Sequence, residues 1–225
     1  LPKPQPAVRW RHRPWSRRAP SPKTIHLEAI MAGDPHRRDE SIEDSIQALL
    51  YDRPGVEVAP DDVIIRLPID PYHHVADIGC GPGYFSLPLA KYLSYGKLYA
   101  IDTDERMLEA VRERLVKARL SNVEVLKCED TDFPLPEASV DGLFLAFVVH
   151  LVPNRSAFFE AAAALVKKTG WCAVLEFTPG ETAHQAPPGH HVSPEEVLAL
   201  AREAGLSLRR RRNIQTGQYL LLFEK

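Results

Sequence analysis

Three glycines follow an acid at the end of an apolar run in the stretch VADIGCGPGYF, residues 75–85. Asp77 precedes them, and Gly79, Gly81 and Gly83 stand at alternate positions. A glycine-rich turn between a strand and a helix permits positive φ values and lets backbone N–H groups approach a ligand closely. An ordinary turn needs fewer glycines, so the spacing predicts a loop that binds a nucleotide-type ligand.

The spacing of this loop differs from the fingerprint of dinucleotide-binding proteins. That fingerprint, G-x-G-x-x-G, places a pyrophosphate on the N-terminus of the following helix. Here the third glycine comes one residue earlier, which gives G-x-G-x-G. A carboxylate at Asp77 would repel a pyrophosphate, but it suits a ligand that carries an ammonium or sulfonium group. The loop therefore favours a different nucleoside ligand.

Alternating strand and helix patterns position this loop. The alternation predicts a doubly wound, Rossmann-like α/β sheet, mostly parallel with an antiparallel closing strand. Ligands of such sheets bind beyond the carboxyl ends of the strands, at the topological switch point, and the loop follows the first strand of the series. The predicted strands cover residues 74–79, 97–102, 123–128, 140–152 and 171–177, with closing strands at 206–214 and 218–225. The predicted helices cover residues 84–94, 104–120, 155–168 and 193–205, with N-caps at Asp104 and Ser193 and a C-cap at Gly170.

The composition limits the classes of protein to consider. The chain has 225 residues, 44% of them hydrophobic, and a net charge of −2, which argues against a nucleic-acid partner held by bulk electrostatics. No apolar run approaches the roughly 18 residues that span a bilayer, so we expect no membrane partner. Its three cysteines are scattered, which is typical of reduced thiols in a cytoplasmic protein.

Composition also divides the chain. Residues 1–35 are rich in proline and arginine, and we expect a disordered tail. A further hypothesis is that Met31 is the true start and that the preceding residues are not part of the native chain. Residues 36–72 are predicted to hold an N-terminal helix over 39–51 and a connector. Residues 73–225 are predicted to form the ligand-binding domain.

The stretch 75–85 resembles the first motif of class I S-adenosylmethionine-dependent methyltransferases. The resemblance is to the methyltransferase-domain type that includes quinone-biosynthesis C-methyltransferases, and it covers residues 60–225. It implies S-adenosylmethionine as the cofactor and methyl transfer as the activity. We expect a small-molecule acceptor, because no nucleic-acid module is recognisable.

The resemblance also implies cofactor-binding residues. Asp102 ends the second predicted strand, where an acid accepts hydrogen bonds from both ribose hydroxyls. Asp130 would accept from the adenine amino group. Glu129 stands where the family usually has glycine, so the choice among Glu129, Asp130 and Asp132 stays open. The remaining implied contacts are Asp77 and the three glycines at the methionine end, Tyr84 covering the cofactor, Thr103, Met107 and Thr131 beside the adenine, and Ala146 beside the amino-acid moiety.

Two histidines are candidate catalytic residues. Methyl transfer needs alignment and exclusion of water, and a base helps when the acceptor is a carbon acid or a phenol. His150 ends the fourth predicted strand, and His191 lies just before the helix cap at Ser193. The alternatives are a partly buried structural histidine for His150 and a surface position for His191. The histidines of the loop 178–192 lack the spacing of metal ligands, so no metal site is predicted.

The run Arg209 to Arg212 is the basic cluster of the folded part. On a strand its members alternate between faces, which favours a solvated edge strand over a one-sided patch. Weak RNA contact is the alternative. Two other functions therefore stay open: an RNA or protein methyltransferase that docks through this cluster and the tail, and a non-catalytic S-adenosylmethionine-binding protein.

Overall fold

Seven strands form a single sheet in the computed structural model of the chain, which describes residue 46 and residues 58–179, 191–214 and 217–225. The strands are β1 His74–Ile78, β2 Lys97–Asp102, β3 Val123–Lys127, β4 Val140–Ala146, β5 Val166–Phe177, β6 Ser207–Asn213 and β7 Gln218–Glu224. Their order is β3-β2-β1-β4-β5-β7-β6. β1 to β5 pair in parallel, and β7 runs antiparallel between β5 and β6. The predicted fold class is confirmed.

Within residues 58–179, 191–214 and 217–225, the α-helices that connect and cover the strands are α1 Pro60–Ile64, α2 Ser86–Tyr92, α3 Glu105–Ala118, α4 Arg155–Ala164 and α5 Pro194–Glu203. The predicted N-caps are confirmed. The Asp104 carboxylate accepts from the Arg106 N–H at 2.9 Å, and the Ser193 hydroxyl accepts from the Glu196 N–H at 3.1 Å. The sequence prediction of a connector missed α1, which begins with Pro60 at its first position, a common helix start.

Buried side chains cover both faces of the sheet. One cluster joins β4 and β5 to α4 and α5 through residues such as Leu143, Val174 and Phe158. A second lies on the opposite face, where Phe144 packs with Leu89 of α2. Because both faces are covered, β4 and β5 read in the sequence as nearly continuous apolar runs.

Two predicted boundaries are wrong. The fourth strand ends at Ala146 rather than at residue 152, because Phe147 adopts a φ of 56° and the chain turns into a 3₁₀ turn, Val149–Leu151. The helix after it ends at Ala164, and Gly170 lies inside β5 instead of capping the helix. A Cβ at Gly170 would stand 2.8 Å from the Asp141 carbonyl oxygen, so close pairing of β4 and β5 explains this glycine.

The N-terminal predictions fall mainly on residues outside those described. This holds for the tail, residues 1–35, and for the helix predicted over 39–51 apart from Ile46, which is helical. All described residues lie within Ile42–Lys225. Among the helices of the described ranges, none combines the length and the apolar character that crossing a membrane requires.

Candidate functional site

The glycine loop lies at the carboxyl end of β1, beside the end of β2. Gly79, Gly81 and Gly83 have φ values of 71°, 52° and 82°, which favour glycine. The N–H groups of Gly79 and Cys80 both donate to the Ile101 carbonyl, at 2.8 and 3.1 Å. These bonds fix the loop to β2 at the switch point between β1 and β4.

Gly79 and Gly81 lack a side chain for different reasons. A Cβ at Gly79 would stand 2.5 Å from Val148 Cγ2, so the packing of the protein itself excludes it. A Cβ at Gly81 would meet no atom of the described residues within 4 Å. One face of the loop backbone at Gly81 is therefore open, and a ligand can approach it.

Asp102 is bonded directly to this loop. Its Oδ2 accepts from the Gly81 N–H at 2.8 Å, and its Oδ1 accepts from the Asp104 N–H at 3.0 Å. A carboxylate offers about four acceptor positions, so these bonds do not saturate it. Burial raises the pKa of Asp102, and hydrogen bonds from backbone N–H groups oppose that rise.

Asp77 lies on β1, just before the glycine loop. Its side chain is buried, and Oδ2 accepts from the Ser86 hydroxyl of α2 at 2.6 Å. A buried carboxylate needs such partners, so this bond couples β1 to the helix that follows the loop. Burial raises the pKa of the Cys80 thiol, and the negative charges of Asp77 and Asp102 raise it further.

A tight turn after β3 stands next to Asp102. The Cys128 N–H donates to the Asp102 carbonyl at 3.1 Å, and the Asp132 N–H donates to the Glu129 carbonyl at 2.8 Å. Glu129 and Asp132 face each other at the base of this turn, and Asp130 and Thr131 form its tip. The Asp130 side chain is exposed, and its φ is 47°.

The other predicted cofactor contacts surround the same edge of the sheet. Thr103 is exposed directly after Asp102, and Met107 is half-buried on α3. The Tyr84 hydroxyl donates to the Val58 carbonyl at 2.9 Å, which holds this ring in place just before α2. Ala146 is half-buried at the end of β4.

His150 belongs to a buried pair that the sequence did not indicate. Its Nδ1 lies 2.9 Å from Glu176 Oε2, and its backbone N–H donates to Glu176 Oε1 at 3.3 Å. The exposed fractions of the two side chains are 9% and 1%. Beside an ionised Glu176 carboxylate, which only accepts, Nδ1 of His150 would be the donor and Nε2 the acceptor nitrogen.

Glu176 was assigned no role in the sequence analysis. It is the one acid of the apolar run WCAVLEF, residues 171–177, and that isolation is the feature that could have marked it. The Phe177 N–H also donates to its Oε2, at 3.3 Å. The His150 and Phe177 rings are 5.8 Å apart, edge to face. This arrangement fixes the imidazole ring through a side-chain and a backbone contact with one carboxylate.

His191 is half-buried, and its Nδ1 is a buried atom with no hydrogen-bond partner among the described residues. The next residue, Val192, accepts from the Tyr219 hydroxyl at 2.9 Å, and Tyr219 pairs with Glu176 across β5 and β7. His191 thus stands next to a residue that is bonded to β7, but within the described ranges no contact joins His191 to His150. In the ranges described, no three His, Cys, Asp or Glu side chains are grouped to hold a metal, and His184 and His190 lie outside those ranges.

Comparison with known proteins agrees with this geometry. The model of the family described as "Methyltransferase domain" matches residues 76–174, which include the loop, Asp102 and the turn after β3. A solved structure of a SAM-dependent methyltransferase (SAM is S-adenosylmethionine) from Aquifex aeolicus has a TM-score of 0.70 and 28% sequence identity. That similarity covers 85% of this chain and 98% of the other.

Curated relatives match over a shorter stretch. A trans-aconitate 2-methyltransferase of Afipia carboxidovorans is 32% identical over 113 residues, which is 50% of this chain and 42% of the relative. A demethylmenaquinone methyltransferase of Geobacillus kaustophilus is 29% identical over 118 residues, 52% of this chain and 50% of the relative. The chain spans about half the length of the curated relatives it matches.

Proposed function

We propose, on the premise that residues 76–174 form a class I S-adenosylmethionine-dependent methyltransferase domain, that this chain transfers a methyl group to a small-molecule acceptor. The observation that carries the proposal is the open face of the Gly81 backbone beside the Asp102 carboxylate. A nucleoside can lie against the bare backbone while its ribose hydroxyls donate to the acid.

The residues of this edge fit S-adenosylmethionine. Asp102 would hold the ribose, and Asp130 with the Thr131 N–H would bind the adenine at the tip of the turn. Asp77, the glycine loop, Tyr84 and Ala146 would hold the methionine end, and Thr103 and Met107 would line the adenine. Negative charge at Asp77 and Asp102 suits a ligand that carries ammonium and sulfonium groups better than one that carries a pyrophosphate.

The cofactor supplies an electrophilic methyl group on a sulfonium, and the thioether is its leaving group. The chain must align the acceptor with that methyl group, exclude water and receive the acceptor's proton. We assign the proton to Nε2 of His150, because Nδ1 is occupied by Glu176. The imidazolium that forms is then stabilised by a carboxylate 2.9 Å away. His191 is a second candidate base, since its Nδ1 has no partner among the described residues.

A small-molecule acceptor is favoured by the surroundings of His150. The Phe177 ring lies 5.8 Å from the His150 ring and packs 4.5 Å from the Phe147 ring, which gives apolar surroundings that suit a compact organic acceptor. Both curated relatives reported above are named for small-molecule acceptors.

Calorimetry tests the cofactor assignment. Asp102→Ala should weaken binding of S-adenosylhomocysteine by roughly 1.5–3 kcal/mol, the loss of charge-assisted hydrogen bonds. Asp104→Ala is the matched control, because it removes a neighbouring carboxylate that caps the N-terminus of α3 by accepting from the Arg106 N–H. Equal affinity in the Asp102 variant and the native chain would remove the ribose assignment.

A second experiment tests turnover and the base. The full chain is assayed for S-adenosylhomocysteine production with trans-aconitate, a demethylmenaquinone analogue and a wider acceptor panel. With an accepted substrate, His150→Ala and Glu176→Gln should lower kcat by about 10²-fold, within the range of general-base catalysis, with the cofactor affinity unchanged. Glu160→Gln, an exposed acid on α4, should behave as the native chain. Cofactor binding without production on any acceptor would favour the non-catalytic function instead.

A further inference from the structure

A cavity of about 930 Å³ lies at the edge of the sheet opposite the glycine loop. It is lined by His73, just before β1, by Gly170 and Trp171 early in β5, and by Glu224 at the end of β7. The glycine loop follows the other end of β1, a strand of five residues. At about 3.3 Å per residue the two places are separated by roughly 16 Å of strand. The cavity is therefore distinct from the proposed methyl-transfer site.

Four arginines line this cavity: Arg66, Arg209, Arg210 and Arg212. Regular alternation along β6 would place Arg209 and Arg210 on opposite faces. The pairing with β7 is irregular between Leu208 and Arg210, as at a β-bulge, and this irregularity lets both residues line one cavity. Arg211 lies outside it and pairs with Glu195 of α5 at 2.9 Å. The predicted solvated edge strand is confirmed, because β6 is the outermost strand of the sheet and all of its residues are exposed, while the alternation between faces is broken at this irregularity.

Positive charge dominates the lining. Arg209 pairs with Glu224 at 3.1 Å, and the Arg66 guanidinium donates to the Asp62 carbonyl. Arg210 and Arg212 are exposed and have no acidic partner within the described part of the chain. Four guanidinium groups and one carboxylate give the lining a net charge of +3. Such a concentration of like charge is relieved when an anion binds.

We propose that this cavity binds the diphosphate group of a small phosphorylated ligand. A phosphate group carries a charge of about −1.5 to −2 at neutral pH, so two of them balance the lining. The planar, forked guanidinium groups match phosphate oxygens in pairs. The cavity volume lies within the range of about 300–1,000 Å³ that is usual for small-ligand pockets. The bound group would lie against Arg210 and Arg212.

Calorimetric titration with inorganic pyrophosphate tests this proposal. The full chain is first saturated with S-adenosylhomocysteine, so that the glycine loop cannot contribute. The double variant Arg210→Ala with Arg212→Ala should weaken pyrophosphate binding by about tenfold or more. A tenfold loss corresponds to losing one charge-assisted hydrogen bond. Arg211→Ala is the matched control on the same strand and should leave the affinity unchanged. Pyrophosphate should also raise the thermal unfolding midpoint of the native chain but not that of the double variant.

Three outcomes would overturn the proposal. In the first, the native chain does not bind pyrophosphate. In the second, Arg211→Ala loses as much affinity as the double variant. In the third, the native chain binds a single-stranded RNA oligonucleotide more tightly than pyrophosphate. The last result would indicate a nucleic-acid surface. The proposal does not depend on the methyl-transfer assignment, because Asp102→Ala should bind pyrophosphate as the native chain does.

Discussion

A methyl group added at Gly81 tests whether the loop leaves space for a ligand. An alanine held at the φ of 52° found there costs roughly 1–2 kcal/mol, because its Cβ approaches the following carbonyl oxygen. No overlap is added, since no atom of the described residues lies within 4 Å of that Cβ. We therefore expect Gly81→Ala to lower the free energy of unfolding by about 1–2 kcal/mol.

Gly79→Ala is the matched comparison in the same loop. Its φ of 71° brings a similar backbone cost, and its Cβ would also overlap Val148 Cγ2 at 2.5 Å. Overpacking of this kind costs typically 1–3 kcal/mol. The total loss is about 2–5 kcal/mol when the two costs add. The Gly79 N–H is bonded to the Ile101 carbonyl at 2.8 Å, which restricts relief by backbone movement.

The two variants separate the effect on stability from the effect on binding. Urea unfolding measures the first, and calorimetry with S-adenosylhomocysteine, well below both unfolding midpoints, measures the second. Gly81→Ala should be the more stable variant but should bind at least about tenfold more weakly than the native chain, which is about 1.4 kcal/mol. Native affinity in Gly81→Ala would show that the open face does not contact the cofactor. A stability loss as large as that of Gly79→Ala would refute the argument from the Val148 overlap.

Two further predictions concern titratable groups. Binding of S-adenosylhomocysteine should weaken as the pH falls through the pKa of Asp102, which burial raises above its ordinary value, because protonation removes an acceptor. Asp102→Asn should lose this pH dependence in calorimetry. In the cofactor-free chain a raised pKa means that the folded state favours the protonated carboxyl. The contribution of Asp102 to the free energy of unfolding is therefore fully present below the unfolded pKa, and it is lost as the pH rises through the folded pKa. Burial raises the thiol pKa to about 11 for Cys128 and to about 12 for Cys172. Iodoacetamide at mildly alkaline pH should therefore label these thiols only after unfolding, and labelling of the native chain detected by mass spectrometry would contradict their burial.

The sequence was sufficient where the position of a residue depends on local spacing. The loop from Gly79 to Gly83 and the acid at the end of β2 follow from the order of apolar runs and turn residues, so both could be placed before the structure. The ends of strands were harder to predict, because the apolar run 140–152 continues past Ala146 without a turn residue. The change of direction at Phe147 needs a positive φ that its residue type does not announce.

Contacts between distant residues could not be predicted. His150 and Glu176 meet because β4 and β5 pair with Ala146 opposite Leu175, and the sequence does not specify that register. The arginine-lined cavity depends on an irregular pairing of β6 with β7, which no local pattern marks. In both cases the sequence shows which residues are present. Which of them lie next to each other depends on how the strands pair.

The acids near the glycine loop and the arginines of the cavity lie at opposite ends of the strands. Asp77, Asp102 and Glu176 lie near the carboxyl edge, and two of them are almost fully buried, where a charge interacts more strongly than in water. Arg209 and Arg210 lie early in β6, which runs parallel to β5, and so belong to the opposite edge. A cationic methyl donor and an anionic ligand would thus be attracted to different ends of one sheet. The fold can carry both sites because neither ligand competes for the charges that bind the other.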